Sequence, residues 1–153
     1  MRNRFSQGIY EVQNTEKYVG NKRPTYRSSW ERGFMHTLDH HPSVLEWASE
    51  PIKIPYVNPQ TGRPANYIPD FLIKYTKADG SVVVDLIEIK PASQTHESRA
   101  KSKNDKTQQV INAAKWEAAS NFSKMRGITF RILTEDQLFG KKSGTKRKKQ
   151  GFG

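Results

Sequence analysis

The sequence contains no cysteine among its 153 residues. This absence excludes a disulfide framework, a thiol nucleophile and a cysteine-ligated zinc site. Any bound metal ion must therefore be held by Asp, Glu or His side chains or by backbone oxygens.

Long apolar runs are also missing, and only 34% of the residues are hydrophobic. No stretch approaches the roughly 18 consecutive apolar residues that a membrane-spanning helix needs. The opening segment MRNRFSQG lacks the apolar centre of a secretory signal peptide. The low hydrophobic fraction indicates one modest core with polar arms rather than tandem domains. We therefore expect a soluble, single-domain protein that works inside a cell and has no membrane partner.

Acidic residues are scarce, with 15 Asp plus Glu against 26 Lys plus Arg, which gives a net charge of +11. Such a surplus favours a polyanionic partner, because clustered Lys and Arg displace counterions from nucleic-acid phosphates. Residues 140 to 153 contain no acid and hold about half of this surplus, on Lys141, Lys142, Lys146, Arg147, Lys148 and Lys149. We predict a disordered tail that binds DNA phosphates, although a purely solubilising tail fits the same composition.

Local signals divide the rest of the chain. Residues 1 to 27 show no sustained periodicity and are predicted to form an extended arm, lying on its own domain or on a neighbouring subunit. Ser28 followed by Glu31 is a helix-capping pattern, and the helix that it starts should stop near Pro42. Residues 28 to 139 are then expected to form the folded domain.

Strand-like runs follow this first helix. Residues 44 to 48 and 52 to 56 predict a strand, or a bent pair of strands, at the edge of a sheet. Residues 67 to 75 and 82 to 89 predict a hairpin, because an Asp-Gly pair lies in the connection between them. The polar segment from residue 92 to residue 106 is predicted to be mobile.

A second helix is predicted from Thr107 to Met125. Apolar residues recur there at steps of three and four and mark one face, formed by Ile111, Ala114, Ala118, Phe122 and Met125. Gly127 ends this helix, and residues 128 to 133 alternate as a last strand would. The order of elements predicts an α/β (α+β) fold with a mixed sheet flanked by helices.

Three charged residues of the predicted hairpin are expected to converge. Asp70 lies near the start of the first strand, whereas Glu88 and Lys90 close the second strand on a shared face. In an antiparallel hairpin the start of one strand lies beside the end of the other, so Asp70 should meet Glu88. Two carboxylates and one ammonium group would then lie together at the rim of the sheet.

This grouping suits phosphodiester cleavage. Paired carboxylates bind a hard cation such as Mg²⁺, which activates water, and a lysine can orient that water and offset charge in the transition state. An Asp beside a proline is also a common turn residue, and Glu-x-Lys occurs by chance in a lysine-rich chain. The position of these charges at the end of a buried strand favours catalysis, because charge is costly there without a purpose.

These residues match a known motif. Pro69-Asp70 and Glu88-Ile89-Lys90 resemble the active-site motif of the PD-(D/E)xK nuclease superfamily. Over about residues 15 to 135 the chain resembles the head-completion nucleases of contractile-tailed bacteriophages and, more distantly, the endonuclease subunit of heteromeric transposases. The segments that carry this resemblance are Tyr26-Arg27-Ser28-Ser29-Trp30-Glu31, Trp47-Ala48-Ser49-Glu50-Pro51-Ile52, Ile54-Pro55-Tyr56, Tyr67-Ile68-Pro69-Asp70-Phe71 and Leu86-Ile87-Glu88-Ile89-Lys90-Pro91.

The resemblance implies a restriction-endonuclease-like fold and metal-dependent cleavage of double-stranded DNA, with Mg²⁺ or Mn²⁺ as cofactor. It implies catalytic roles for Asp70, Glu88 and Lys90, with the metal on the two carboxylates. An acid on the first core helix often joins the metal site in this superfamily. Glu31 matches that place, although it can also serve only in the helix cap.

The resemblance also implies a setting in phage head completion. The expected partners are DNA and the head, portal and neck proteins of the particle. The expected location is the head-neck region of the virion, or the host cytoplasm during assembly.

The second helix offers further candidates beside its apolar face. Some related nucleases place a Lys or Gln of this helix near the catalytic metal or the DNA, so Lys115 is predicted to contact DNA and Gln108 is a candidate for the same position. A solvated helix flank fits both residues equally well. Trp116 is predicted to pack rather than to stack on a base.

His36 and His40 lie four residues apart on the first helix, a spacing that can hold zinc. No third ligand is recognisable, so we interpret them as surface residues. Glu46 and Glu50 are interpreted as structural residues near the sheet edge.

A different class of protein also fits the sequence. A neck or DNA-plug protein could keep the nuclease fold and only bind DNA through its positive surface. A transposase endonuclease is a third candidate, but it needs a partner transposase and a DNA-binding domain, for which the chain has no clear room.

Overall fold

The computed structural model describes residues 7 to 90 and 103 to 134. The basic tail, with all six of its predicted DNA-binding residues, lies outside the described residues. Residues 103 to 106, predicted to belong to a mobile segment, form the first turn of a helix instead.

The described residues form two helices and eight strands. In chain order they are β1 (Gly8–Ile9), β2 (Thr25–Tyr26), α1 (Ser29–His40), β3 (Val44–Ser49), β4 (Ile54–Val57), β5 (Pro64–Tyr67), β6 (Phe71–Thr76), β7 (Val82–Lys90), α2 (Lys103–Met125) and β8 (Thr129–Thr134). α1 begins where the capping pattern predicts, because the Ser28 side chain accepts a hydrogen bond from the Glu31 N–H.

Four strands form the central sheet in the order β3-β6-β7-β8. β6 is antiparallel to both β3 and β7, which confirms the predicted hairpin and the predicted edge strand. β8 is parallel to β7, and such a pair needs a crossover connection, which α2 provides. The mixed α+β fold predicted from the sequence is confirmed.

Each face of the sheet carries its own apolar cluster. One face packs against α1 and the arm through Phe34, Met35, Leu38, Trp47, Phe71, Ile73 and Ile87, among others. The opposite face packs against α2 and the β4–β5 hairpin, where Ile54, Tyr67, Leu86 and Ala119 are buried. Because successive residues of a strand point to opposite faces, Leu86 and Ile87 of β7 belong to different clusters.

The arm folds back on its own chain. β1 pairs with β2, and the buried Asp39 of α1 binds the segment between them. Its Oδ2 accepts hydrogen bonds from the Tyr10 hydroxyl at 2.8 Å and the Gln13 N–H at 2.7 Å, and its Oδ1 accepts one from the Asn14 N–H at 3.0 Å. Of the two placements considered for the arm, the structure therefore has residues 7 to 27 on the same domain.

Two strand predictions are wrong in detail. β4 does not lie at the edge of the central sheet but pairs with β5 in a separate hairpin. The run from residue 67 to residue 75 is not one strand, because Ile68-Pro69-Asp70 separates β5 from β6. Proline has no N–H to donate and therefore interrupts a strand ladder.

The face of α2 also differs from the prediction. Ala119 and Ser123 are its most buried described positions, whereas Met125 is 81% exposed. Because Ser123 is polar, the hydrophobic pattern did not reveal that it belongs to the packed face. Neither helix of the described residues is long and apolar enough to cross a membrane.

Candidate active site

Asp70 and Glu88 adjoin at one end of the β6–β7 pair. Phe71 of β6 lies opposite Ile87 of the antiparallel strand β7. Asp70, which precedes Phe71, therefore lies beside Glu88, which follows Ile87. The Asp70 N–H donates to the Ile87 carbonyl at 3.0 Å. The Ile89 N–H donates to Asp70 Oδ2 at 2.7 Å and fixes the carboxyl against β7. The predicted meeting of the two side chains is therefore present in the structure.

Both carboxyls bind protons more tightly than free carboxyls do. Burial raises the pKa of Asp70 to about 8, and the charge of Glu88 adds to the shift. Burial likewise raises the pKa of Glu88, although Tyr67 and two lysines oppose the shift. The charge of Glu88 disfavours the ionisation of Asp70, and a bound cation would relieve this repulsion.

Tyr67 holds Glu88 in place. Its hydroxyl donates a hydrogen bond to Glu88 Oε1 at 2.6 Å. Tyr67 is the last residue of β5, which the segment around Pro69 separates from β6. The tyrosine is only 5% exposed, and burial, followed by the charge of Glu88, raises the pKa of its hydroxyl. The hydroxyl therefore stays protonated and remains a donor.

Two lysines lie on the Glu88 side of the site. Lys90 Nζ is 5.4 Å from the ring centre of Trp116, and Lys115 Nζ is 5.9 Å from that of Tyr67. The charges of Lys115 and Lys90 both lower the pKa of Glu88. Lys115 of α2 is thus brought to the predicted site, and Trp116 packs against the α2-side cluster, as expected.

Glu31 takes part in a helix cap. Its N–H donates to Ser28 Oγ at 3.1 Å, and its Oε1 accepts from the Arg27 N–H at 2.7 Å, one residue before the N-cap, whereas a capping box uses the N–H of the N-cap residue itself. Burial raises the pKa of Glu31. Its charge also reaches Asp70, whose pKa it raises. Glu31 therefore caps α1 within electrostatic range of the carboxyl pair.

Glu50 lies on the other flank of Asp70. Its N–H donates to the Asp70 carbonyl at 2.8 Å. Its carboxylate binds Lys22 and Arg27 of the arm, and these bonds lower the pKa of Glu50 although burial opposes them. The sequence placed Glu50 near the sheet edge but did not associate it with the site.

The signal that could have revealed Tyr67 and Glu50 is their place in the sequence. Both lie inside segments that carry the family resemblance, one shortly before Pro69 and the other directly before Pro51. Their partners, however, are 21 or more residues away in the chain. A pattern of neighbouring residues does not show such contacts.

The remaining described candidates make contacts within their own helices. His36 and His40 are exposed, and their rings stack on each other at 4.3 Å between centres. Gln108 is exposed and donates to Asn112 of the same helix at 3.2 Å. These contacts are those of a solvated helix surface.

The chemistry of the Asp70–Glu88 pair fits a divalent cation. Mg²⁺ prefers oxygen ligands and is commonly bound by one or two carboxylates, with water and substrate phosphate completing its shell. Across residues 7 to 90 and 103 to 134, no three His, Asp or Glu side chains are arranged to hold a metal ion together. A cation held by the Asp70 and Glu88 carboxyls would leave open positions for water and phosphate.

The chain is similar to known nucleases. Residues 41 to 135 match the family described as TnsA-like endonuclease N terminal. The chain is 38% identical over 142 residues to a protein named "Head completion nuclease" of Enterobacteria phage T4, covering 86% of this chain and 92% of that relative. The resemblance that the sequence motifs indicate is confirmed. The chain therefore belongs to the TnsA-like endonuclease N-terminal family and to the head-completion nucleases of tailed bacteriophages.

Proposed function

We propose that the protein is a metal-dependent DNA nuclease with its active site at Asp70 and Glu88. One observation carries the proposal: two partly buried carboxyls, one directly before β6 and one on β7, meet within reach of the positive charge of Lys90. A partly buried carboxyl pair in which the charge of Glu88 opposes the ionisation of Asp70 disfavours both folding and DNA binding, so a protein that only coats DNA has no use for it. Membership of an endonuclease family supports the same chemistry.

The residues have distinct roles in this proposal. Asp70 and Glu88 bind Mg²⁺ or Mn²⁺ through their oxygens. Glu31 is the fourth residue of the active site, after Asp70, Glu88 and Lys90, and its charge raises the pKa of Asp70. When bound, the cation polarises the phosphodiester and activates water. Lys90 orients the attacking water and offsets the negative charge that develops on the phosphate. Lys115 contacts the DNA backbone beside them.

The proposed setting is completion of the phage head. The name of the T4 relative supports it. In this setting the protein cleaves or trims DNA before the head joins the tail, in the head-neck region or in the host cytoplasm, together with head, portal and neck proteins. The basic tail would bind phosphates without reading sequence.

A plasmid-conversion assay tests the nuclease activity. We expect supercoiled DNA to be nicked or degraded with Mg²⁺ or Mn²⁺ and left intact in EDTA. Asp70→Asn, Glu88→Gln and Lys90→Ala should each lower the cleavage rate by about 100-fold or more, because each removes a group needed in the transition state. Glu31→Gln keeps an acceptor oxygen for the helix cap, so a lower rate in this variant would report a role in the site.

The control variant is Glu117→Gln, which removes the charge of an exposed acid on α2. It should cleave at the wild-type rate. If the wild type and all variants are equally inert with every metal and still bind DNA, the nuclease proposal is wrong. The protein would then be a DNA-binding component of the neck.

A further inference from the structure

The arm brings two cations to the Asp70 side of the site. Arg27 Nη1 binds Glu50 Oε2 at 2.8 Å, and Lys22 Nζ binds Oε1 of the same carboxylate. The side chain of Glu50 is 16% exposed, whereas those of Lys22 and Arg27 are 57% and 60% exposed. One carboxylate therefore anchors two solvent-facing cations.

The anchor is fixed in relation to the carboxyl pair. Glu50 is the final residue before Pro51, and its backbone has a φ of 48°, in the left-handed region that non-glycine residues rarely adopt. This conformation coexists with the hydrogen bond from its N–H to the Asp70 carbonyl. Strained backbone of this kind is retained where the surroundings hold a residue in place, often at functional sites. Lys22 and Arg27 are thus bound to a residue that itself contacts Asp70.

Both cations keep donors for another partner. A guanidinium has five N–H groups and an ammonium has three, and the contact with Glu50 uses only part of each set. Two positive charges against one carboxylate leave the cluster positive. The charge of Asp70 also acts on Arg27, whose pKa is raised first by its bond to Glu50. Arg27 of this cluster therefore interacts with the charge of Asp70, whereas Lys90 and Lys115 interact with that of Glu88.

We propose that Lys22 and Arg27 form a phosphate-binding site for the DNA backbone at the rim of the active site, positioned by Glu50. The ligand is two neighbouring phosphodiesters of the DNA strand that enters the site, one for each cation. Arg and Lys suit this role, because a guanidinium binds phosphate through two parallel N–H groups and an ammonium acts as a point charge. The inference rests on the proposed function in naming DNA as the substrate, but the binding requires neither metal nor cleavage.

The alternative is that these ion pairs only tie the arm to the domain. Exposed ion pairs contribute little to stability, and such a role gives no reason for two cations on one carboxylate. The two roles differ in one measurable quantity. A phosphate contact releases counterions and steepens the dependence of DNA affinity on salt, by about 0.9 in the logarithmic slope for each phosphate.

The test compares two double variants of the full chain with the same change in net charge. Lys22→Gln with Arg27→Gln removes the proposed site. Arg23→Gln with Lys77→Gln removes one exposed cation elsewhere on the arm and one at the far tip of the β6–β7 hairpin. The dissociation constant of a short DNA duplex is measured by fluorescence anisotropy in EDTA over a range of KCl concentrations.

We expect the slope to become less steep by about 2 in the first variant and by less than half of that in the second. In each single variant, Lys22→Gln and Arg27→Gln, the slope should become less steep by about 1. The single variants test the inference if the double variant does not fold. Arg27→Lys should keep most of the slope. An unchanged slope in the folded first variant, or equal losses in both double variants, overturns the inference. A protein that fails to cleave DNA but shows the expected slopes would refute the nuclease proposal alone.

Discussion

At the scale of single residues, the geometry of Glu88 depends on Tyr67. The hydroxyl fixes Oε1 at 2.6 Å, so the other carboxyl oxygen points in a defined direction. Groups that orient a metal-binding carboxylate in this way contribute strongly to metal affinity, because the ligand does not have to be reoriented on binding. Tyr67 is thus a positioning residue that belongs to the hairpin outside the central sheet.

Tyr67→Phe removes this hydrogen bond and keeps the aromatic ring. We expect the affinity for Mn²⁺, measured by isothermal titration calorimetry, to fall by about 10- to 100-fold. Tyr56→Phe, on the neighbouring strand of the same hairpin and in the same apolar cluster, should bind Mn²⁺ as the wild type does. Equal affinities in the two variants would show that the Tyr67 hydroxyl does not position the ligand.

The sequence predicted the residues of the site unequally. Asp70, Glu88 and Lys90 could be brought together because an antiparallel hairpin with a short turn has a predictable register. Tyr67 and Glu50 could not, since their contacts depend on the break at Pro69 and on an arm that folds back over the sheet. These are non-local contacts without a signature in neighbouring residues.

At the scale of elements, the arm is attached to α1 through Asp39. This carboxylate is buried, which by itself raises its pKa, but hydrogen bonds from Gln13, Tyr10 and Asn14 reverse the effect and lower the pKa. A carboxyl with a lowered pKa in the folded state stabilises the fold above its unfolded pKa of about 3.9 and loses this contribution as the pH falls through its folded pKa. The attachment of the arm should therefore weaken only in acid.

Asp39→Asn should lower the free energy of unfolding at pH 7 by about 1.5–3 kcal/mol, the contribution of hydrogen bonds to a charged group. Urea unfolding at pH 7, 4 and 3 measures the difference from the wild type. We expect the difference to be constant between pH 7 and pH 5 and to shrink below pH 4. Glu11→Gln, an exposed acid of the same arm, should show almost no difference at any pH. A deficit that persists undiminished at pH 3 would contradict the role of the Asp39 charge.

Elements with strong local signals were predicted well, and those without them were not. α1 follows from the Ser28 cap and the stop before Pro42, and the β6–β7 hairpin follows from its Asp-Gly connection. The β4–β5 hairpin has prolines at residues 55 and 64 and a polar connection, so nothing local distinguishes it from a strand at the sheet edge. Its position over α2 is set by packing.

At the scale of the whole molecule, the carboxyl pair makes stability depend on pH. The pKa of Asp70 is raised to about 8, first by burial and then by the charge of Glu88. An unfolded Asp ionises near pH 3.9, so between this value and pH 8 the folded state holds a proton that the unfolded chain has lost. The free energy of unfolding therefore falls as the pH rises across this interval.

Asp70→Asn removes this source of instability. In EDTA, we expect its melting temperature to match that of the wild type at pH 4 and to exceed it at pH 8, by about 2–4 °C for each kcal/mol gained. Differential scanning fluorimetry across this pH range measures the difference. Glu117→Gln should follow the wild type throughout. A variant that is less stable than the wild type at pH 8 would mean that the Asp70 carboxyl supports the fold rather than straining it.

The placement of a divalent cation between Asp70 and Glu88 is tested most directly by paramagnetic broadening. Mn²⁺ is added in small amounts to the ¹⁵N-labelled protein, which at 17.6 kDa is suitable for amide spectra. We expect the amides of residues 70, 71 and 87 to 90 to broaden first in the wild type and to stay sharp in Asp70→Asn. Broadening centred on His36 and His40, or equal broadening in both proteins, would contradict a metal-dependent active site at these two carboxyls.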